Sequence, residues 1–377
     1  MTLVELLVAM LLGLITTYFI AQVFAVAEGQ KRTATFGTDA QVNGAVALHT
    51  LRRHIMSSGY GVVSAPSALG CTIHGQFGTA GTTTASPAMT LAPVIITAAV
   101  SASAPSDSVS VLTSTKSTFS APVLTNGVHT EAQEKAFLVQ GGSHGMDEDD
   151  TILAVPKGWT AADRCLLLTV KQDATNPGTT ASKLRVPHVP SPSASSWNAT
   201  SSSDWPAAGF PDGSLLLNFG QMRRMDFRVN GDSFEVITWT PQGIGTPEQL
   251  NSGIVLMKAL YGRDTNNDGV VDIYDTTTPT NNASWRNVRV VRLAMVARSG
   301  QREKTAVTTA APVWHVGDGT AVTYQQYPGA TTTCAANAAS CDLTLPISHL
   351  DEWQNYRYKV FETAIPVRNL MWNTEEP

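Results

Sequence analysis

The sequence predicts an α+β protein: a long N-terminal α-helix packed on an antiparallel β-sheet head with long loops. Three observations predict it. From Met1 to Ala27 the chain is almost wholly apolar, and Glu5 is its only charged residue. Apolar residues then recur at helical spacing as far as Met56. Beyond that point the chain changes to short β-branched runs separated by Gly, Pro, Ser and Thr.

The chain has 377 residues, enough for a sizeable core or for more than one folded unit. Charged residues make up 15% of it and the formal net charge is −5, so no nucleic-acid site is evident.

The first 27 residues read as a membrane-crossing helix. At about 1.5 Å per residue, that length crosses the hydrocarbon core of a bilayer. A secretory signal peptide would open on basic residues and close on a small-residue cleavage site. This segment starts directly on apolar residues, and it reads as one already processed at its N-terminal edge and retained. Glu5 is the exception within it. A carboxylate in an apolar helix is costly unless paired, so it points to function. In a helical filament, the α-amine of one subunit can meet Glu5 of its neighbour and fix the axial register. The alternative is an ordinary anchor that tolerates one acid near the interface.

The stretch Thr2-Leu3-Val4-Glu5-Leu6-Leu7-Val8-Ala9-Met10 resembles the N-terminal signature of type IV pilins and type II secretion pseudopilins. The resemblance implies cleavage by a prepilin peptidase just before Met1, methylation of the new N-terminus, and Glu5 as the family's acid. Most family members have Phe where this chain has Met1.

The helix is expected to continue through Gln41, Val42, Ala45, Val46, Leu48, His49, Leu51, Ile55 and Met56. Ser57-Ser58-Gly59-Tyr60-Gly61 supplies a glycine stop. A helix from Met1 to about Ser57 would be roughly 85 Å long. Gly13 and Glu28-Gly29-Gln30 are its weak points. Gly13 would either let the helix melt locally on assembly or allow close helix packing. The expected organisation is a transmembrane and filament-core helix over 1–27, its continuation under the head over 28–58, and a secreted β-rich head over 59–377. A candidate boundary within the head lies near 190–205, at the Ser-rich run 191–203.

Expected strands include Val94–Thr97, Ser108–Leu112, Thr151–Val155, Cys165–Val170, Val288–Ala297 and Tyr356–Pro366. Met225–Val229 and Ser233–Trp239 read as a hairpin turned by Asn230-Gly231. Leu51–Tyr60, Leu256–Gly262, Trp285–Arg292 and Tyr358–Asn369 resemble PilW-type minor pilins. That resemblance implies pilus assembly rather than catalysis. The implied partners are other pilin subunits, the inner membrane before assembly, the pilus machinery and the prepilin peptidase. The implied location is the inner membrane with a periplasmic head, then an extracellular pilus. A secretion pseudopilin, or a membrane-tethered adhesin or enzyme that borrows the anchor, is the alternative.

Four cysteines suggest an oxidising compartment and two disulfides. Cys334 and Cys341 close a short loop, while Cys71 and Cys165 are far apart, each near strand-like sequence. Free buried thiols remain the other reading.

Asp264-Thr-Asn266-Asn-Asp268-Gly269-Val270-Val-Asp272-Ile-Tyr-Asp275 follows calcium-loop spacing. Asp264, Asn266 and Asp268 would supply oxygens one, three and five, and the Val270 carbonyl the seventh. Asp272 and Asp275 sit at nine and twelve. Asp rather than Glu at twelve makes the loop closer to those of dockerins, and such extracellular sites bind Ca2+ at roughly 10⁻⁴ to 10⁻³ M. A solvated acidic hairpin is the competing reading. Met146–Asp150 is acidic without ligand spacing and reads as a solvated turn. Gly141-Gly-Ser143-His-Gly145 matches a hydrolase pattern but lacks a following helix, so it reads as a glycine-rich turn. Asn198-Ala-Thr200 and Asn282-Ala-Ser284 match glycosylation sequons.

Overall fold

The computed structural model describes residues 2–61, 65–79, 82–85, 89–116, 121–130, 135–143, 145–160, 163–172, 184–189, 196–198, 204–240, 243–316, 320–326, 330–336, 338 and 341–371. One continuous helix, Leu3–Ser57, runs for 55 residues and passes through Gly13 and Gly29 without a break. At about 1.5 Å per residue it is roughly 82 Å long. Residues Leu3–Glu28 are long and apolar enough to cross a membrane, and none of that stretch is buried against the head. The hydroxyls of Thr16 and Thr17 both donate to the Gly13 carbonyl, at 2.9 and 2.7 Å. Inside an apolar phase these bonds spare the hydroxyls an unsatisfied burial.

The second half of the helix is amphipathic by placement. Ala40, Ala47, Leu51 and Ile55 lie on one face and are buried in the main core, whereas Val42 and Val46 on the other side are exposed. Gly44 sits on the buried face, where a Cβ would come within 2.2 Å of the Phe361 ring. Glycine therefore lets the C-terminal strand approach the helix backbone. The helix ends as its sequence signals: Ser58 caps it and Gly59 adopts φ 77°. The Asn369 amide then donates to the Ser58 carbonyl at 2.7 Å, tying the end of the chain to the end of the helix.

The head contains three six-stranded sheets. One runs in the order Met89–Thr90, Thr72–His74, Arg164–Thr169, Thr151–Val155, Leu215–Gly220, Val123–Leu124. A second has the path Gly243–Ile244, Ser233–Thr240, Arg223–Asn230, Ser108–Thr113, Val94–Thr97, with Glu248–Ser252 also paired to Ser233–Thr240. The third runs Ala330–Cys334, Ala321–Gln326, Ile273–Asp275, Ile254–Arg263, Val288–Arg298, Tyr358–Pro366. Pairing is antiparallel except between Thr72–His74 and Arg164–Thr169 and between Ile273–Asp275 and Ala321–Gln326. The helix packs mainly against the third sheet, through Val288–Arg298 and Tyr358–Pro366, and also touches Glu248–Ser252 and Ser108–Thr113 of the second. Helix residues and residues of all three sheets share one core, which includes Leu51, Ile73, Phe227 and Leu293. The opposite face of the third sheet carries its own core around Leu256, Leu260, Trp314, Tyr324 and Leu343.

The expected hairpin forms one residue later than its Asn-Gly pair suggests. Asn230 pairs with Ser233, so the two-residue loop is Gly231-Asp232, and Gly231 carries the positive φ of 62°. Glycine at the first loop position fits a type II′ turn, which suits the right-handed twist of the strands.

Candidate functional site

Two regions carry the chemistry that the sequence singles out: the start of the long helix and the acidic loop at 264–275.

Thr2 is the N-cap of the helix. The Glu5 carboxylate accepts the Thr2 backbone N–H at 2.9 Å, and the Glu5 N–H donates to the Thr2 hydroxyl at 3.4 Å. This capping box satisfies helix-end donors within the chain and holds the carboxylate at the helix's positive end. Glu5 is exposed, as is the whole apolar stretch around it, and so it faces whatever surrounds the helix. Met1, the other expected assembly residue, lies outside the described residues.

The loop at 264–275 grows from the edge of a buried strand. Ile254–Arg263 delivers Asp264, which is fully buried. Its carboxylate accepts the N–H groups of Asp268 and Gly269, at 3.2 and 3.0 Å, and pairs with Arg289 at 3.2 Å. Gly269 makes the bend with φ 87°. Across the loop, Asp272 accepts the Thr265 N–H and hydroxyl at 2.6 and 2.7 Å, and these bonds hold its carboxyl below the usual range. Asn266 donates to Asp268 at 3.0 Å and to Asp272 at 3.4 Å. Val270 is exposed, and its N–H donates to Asp268 at 2.8 Å. Asn266 thus bridges the Asp268 and Asp272 carboxylates, while Asp264 joins them only through the backbone of Asp268 and Gly269. Asp275 turns elsewhere: it accepts Arg263 at 2.8 Å and the Thr277 N–H at 2.7 Å, and burial pushes its carboxyl upward. Among the described residues, no three His, Cys, Asp or Glu side chains are grouped closely enough to hold a metal.

The four cysteines form two disulfides, Cys71–Cys165 and Cys334–Cys341. Gly141, Gly142 and Gly145 all have positive φ, and Met146 N–H returns to the Ser143 carbonyl at 3.1 Å, so this segment is a turn. His144 lies outside the described residues. The acidic run at 146–150 is tied down by Lys116, which pairs with Asp147 at 2.5 Å and Asp150 at 2.6 Å, and by Lys171, which pairs with Asp149. Neither sequon asparagine is free. Asn198 is buried and donates to the Thr169 and Val189 carbonyls, and Asn282 donates to those of Pro66 and Leu69. Thr200 lies outside the described residues.

Sequence reasoning missed a buried ion pair. Lys258 sits in the middle of the strand Ile254–Arg263, with its Nζ 2.8 Å from Asp107, and both side chains are 1% exposed. Asp107 also accepts the N–H groups of Ala99 and Ala259. Lys258 lies within the PilW-like stretch Leu256–Gly262, but nothing in the sequence joins it to an aspartate 151 residues away.

Residues 222–369 match the family of the type IV pilus-assembly protein W. That match covers well under half of the chain and makes its C-terminal part similar to PilW-type pilins. The matched region spans the second and third sheets from Arg223 onward, the acidic loop and the Cys334–Cys341 disulfide. Among solved structures, a type IV-like pilin from Thermus thermophilus overlays with a TM-score of 0.21 and 9% identity, covering 59% of this chain and 86% of that one. No curated protein matches the chain.

Proposed function

We propose that the chain is a PilW-type pilin and a subunit of a type IV pilus filament, as a minor component or as the main protomer. Residues 1–27 anchor it in the inner membrane before assembly and form filament core afterwards. Residues 28–58 hold the head on that core. The observation that carries the reading is the exposure of the whole apolar segment Leu3–Glu28 on a helix whose second half is locked into the head. Such a surface is stable only in lipid or among like helices, and moving from one to the other conserves apolar burial. Glu5 then meets the N-terminal amine of a neighbouring subunit. Its exposed carboxylate at the tip of the helix is in reach of that partner, and the pair offsets the cost of an acid in an apolar bundle. Processing by a prepilin peptidase and methylation of Met1 belong to the same reading.

The loop at 264–275 binds Ca2+ in this proposal. Its support is ligand spacing together with the bonds by which Asn266 bridges Asp268 and Asp272 and the backbone of Asp268 and Gly269 holds Asp264. Asp275 would have to leave Arg263 to serve as the twelfth-position ligand.

Filaments prepared from cells that express native or Glu5→Val chain test the assembly role. The variant is expected to insert in the membrane at native level and to be absent from filaments. Its normal incorporation would sink the pairing.

A further inference from the structure

We propose that the head carries a binding groove for an anionic oligosaccharide, built around Trp159 and lined by none of the described residues of the long helix or the acidic loop. Loops from four distant parts of the chain enclose an open cavity of about 700 Å3. That size falls within the roughly 300–1,000 Å3 of sites that take small ligands. The walls are fixed rather than loose. The segment holding Ser67 packs against the short helix Asn282–Arg286, and the Cys71–Cys165 disulfide fastens its continuation to strand Arg164–Thr169 of the first sheet.

Trp159 supplies the platform. Its indole N–H donates to the Ser67 carbonyl at 2.8 Å, so the polar atom is already satisfied and the ring orientation is set. One part of the residue packs on the main core, and the residue also lines the cavity. An indole in this position offers an apolar face with little conformational entropy left to lose.

The polar groups around it are sorted by bonds they already make. Asn281 uses its carbonyl oxygen to cap the Ser284 N–H at 2.9 Å, which leaves its amide N–H groups for a ligand. Asn282 uses its amide nitrogen on the Pro66 and Leu69 carbonyls at 2.6 and 3.0 Å, which leaves its oxygen. Thr280 adds an exposed hydroxyl. A fixed donor, a fixed acceptor and a hydroxyl beside an aromatic face match a sugar ring, which presents a C–H face and hydroxyls that both give and take hydrogen bonds.

Lys157 sets the charge. It is exposed and, among the described residues, is the one cation lining the cavity, with no acidic residue on the lining. A single ammonium suits one carboxylate or sulfate on a sugar. A phosphate cluster would call for several cations or a bidentate arginine, and among the described residues neither lines the groove.

Full-length protein in detergent micelles, applied to an array of uronate, sialylated, sulfated and neutral oligosaccharides, tests the assignment. Titration with tetragalacturonate followed by tryptophan fluorescence supplies an affinity. Binding to anionic glycans is expected, with Trp159→Ala weakening it more than tenfold and Lys157→Met removing the preference over neutral glycans. Lys157 is on the surface, so that variant reports on recognition without disturbing the fold, and near-ultraviolet circular dichroism checks Trp159→Ala. Binding of no anionic glycan, binding of neutral glycans only, or binding that both variants leave intact would each overturn the proposal. None of these readouts depends on filament assembly.

Discussion

Leu51→Ala tests how firmly the helix is fused to the head. Leu51 is fully buried on the helix face that enters the main core. Removing three carbon groups costs about 2.4 kcal/mol of transfer free energy at about 0.8 kcal/mol each. Incomplete collapse of the site adds about 1–2 kcal/mol for the cavity. Leucine and alanine are both good helix formers, so propensity returns only a small part of this. The expected loss is about 3–4 kcal/mol, which for a head of this size lowers the melting temperature by roughly 4–6 °C. The assay is thermal unfolding of the full chain in detergent, followed by near-ultraviolet circular dichroism. Val46→Ala is the control, because Val46 lies on the same helix but is 46% exposed, and it should change stability by no more than about 0.5 kcal/mol. If the two variants melt together, within about 1 °C of the native chain, the helix does not share the core of the head and the packing argument fails.

Loop-closure entropy separates the two disulfides. Replacing Cys71 and Cys165 with Ser opens a loop with a sequence separation of 94 and should cost about 4–5 kcal/mol. The same change at Cys334 and Cys341, separation 7, should cost about 2–3 kcal/mol. Denaturant midpoints of both variants check this order. His188 is buried against His129, at 3.3 Å between their Nε2 atoms, and burial pulls its pKa down to about 3. Its neutral form is favoured in the fold, so stability is full above about pH 6.5 and falls as pH drops toward 3, by on the order of 1.4 kcal/mol per unit. His188→Phe should flatten that slope when denaturant midpoints are measured against pH. For the acidic loop, 10 mM Ca2+ acting on a site of roughly 1 mM affinity should stabilise the head by about 1.4 kcal/mol, and Asp268→Ala should abolish the gain. An unchanged melting temperature on adding Ca2+, with the native loop present, would remove calcium from the account.

What could be read from the sequence was mostly what local physics determines. The long helix was legible because an uninterrupted apolar run and then a 3.6-residue period continue to Ile55, with glycines just after. Val94–Thr97, Thr151–Val155 and Val288–Arg298 were legible as β-branched or aliphatic runs. Ile254–Arg263 gave no strand signal because nine of its ten residues are buried, which erases the alternation that marks a half-exposed strand. The short strands Val123–Leu124 and Arg185–Pro187 exist only through their pairing partners, so nothing local announces them. The acidic loop was legible as a pattern of oxygens. The arginines that hold Asp264 and Asp275 were not, since Arg289 arrives from another strand and Arg263 acts through the turn of the chain. The groove at Trp159 could not be foreseen either, because its lining comes from residues 67, 157–160, 213–215 and 280–283.

The central claim is that Glu5 meets a neighbour's N-terminus inside a filament. Zero-length carbodiimide cross-linking of purified filaments, followed by mass spectrometry of the N-terminal peptides, tests it most directly. The account predicts an amide between Glu5 of this chain and the N-terminal nitrogen of an adjacent subunit, and the mass of the partner peptide tells whether that subunit is another copy or a different pilin. Filaments that contain this chain but yield no such link, while other carboxylates along the filament cross-link normally, would contradict it.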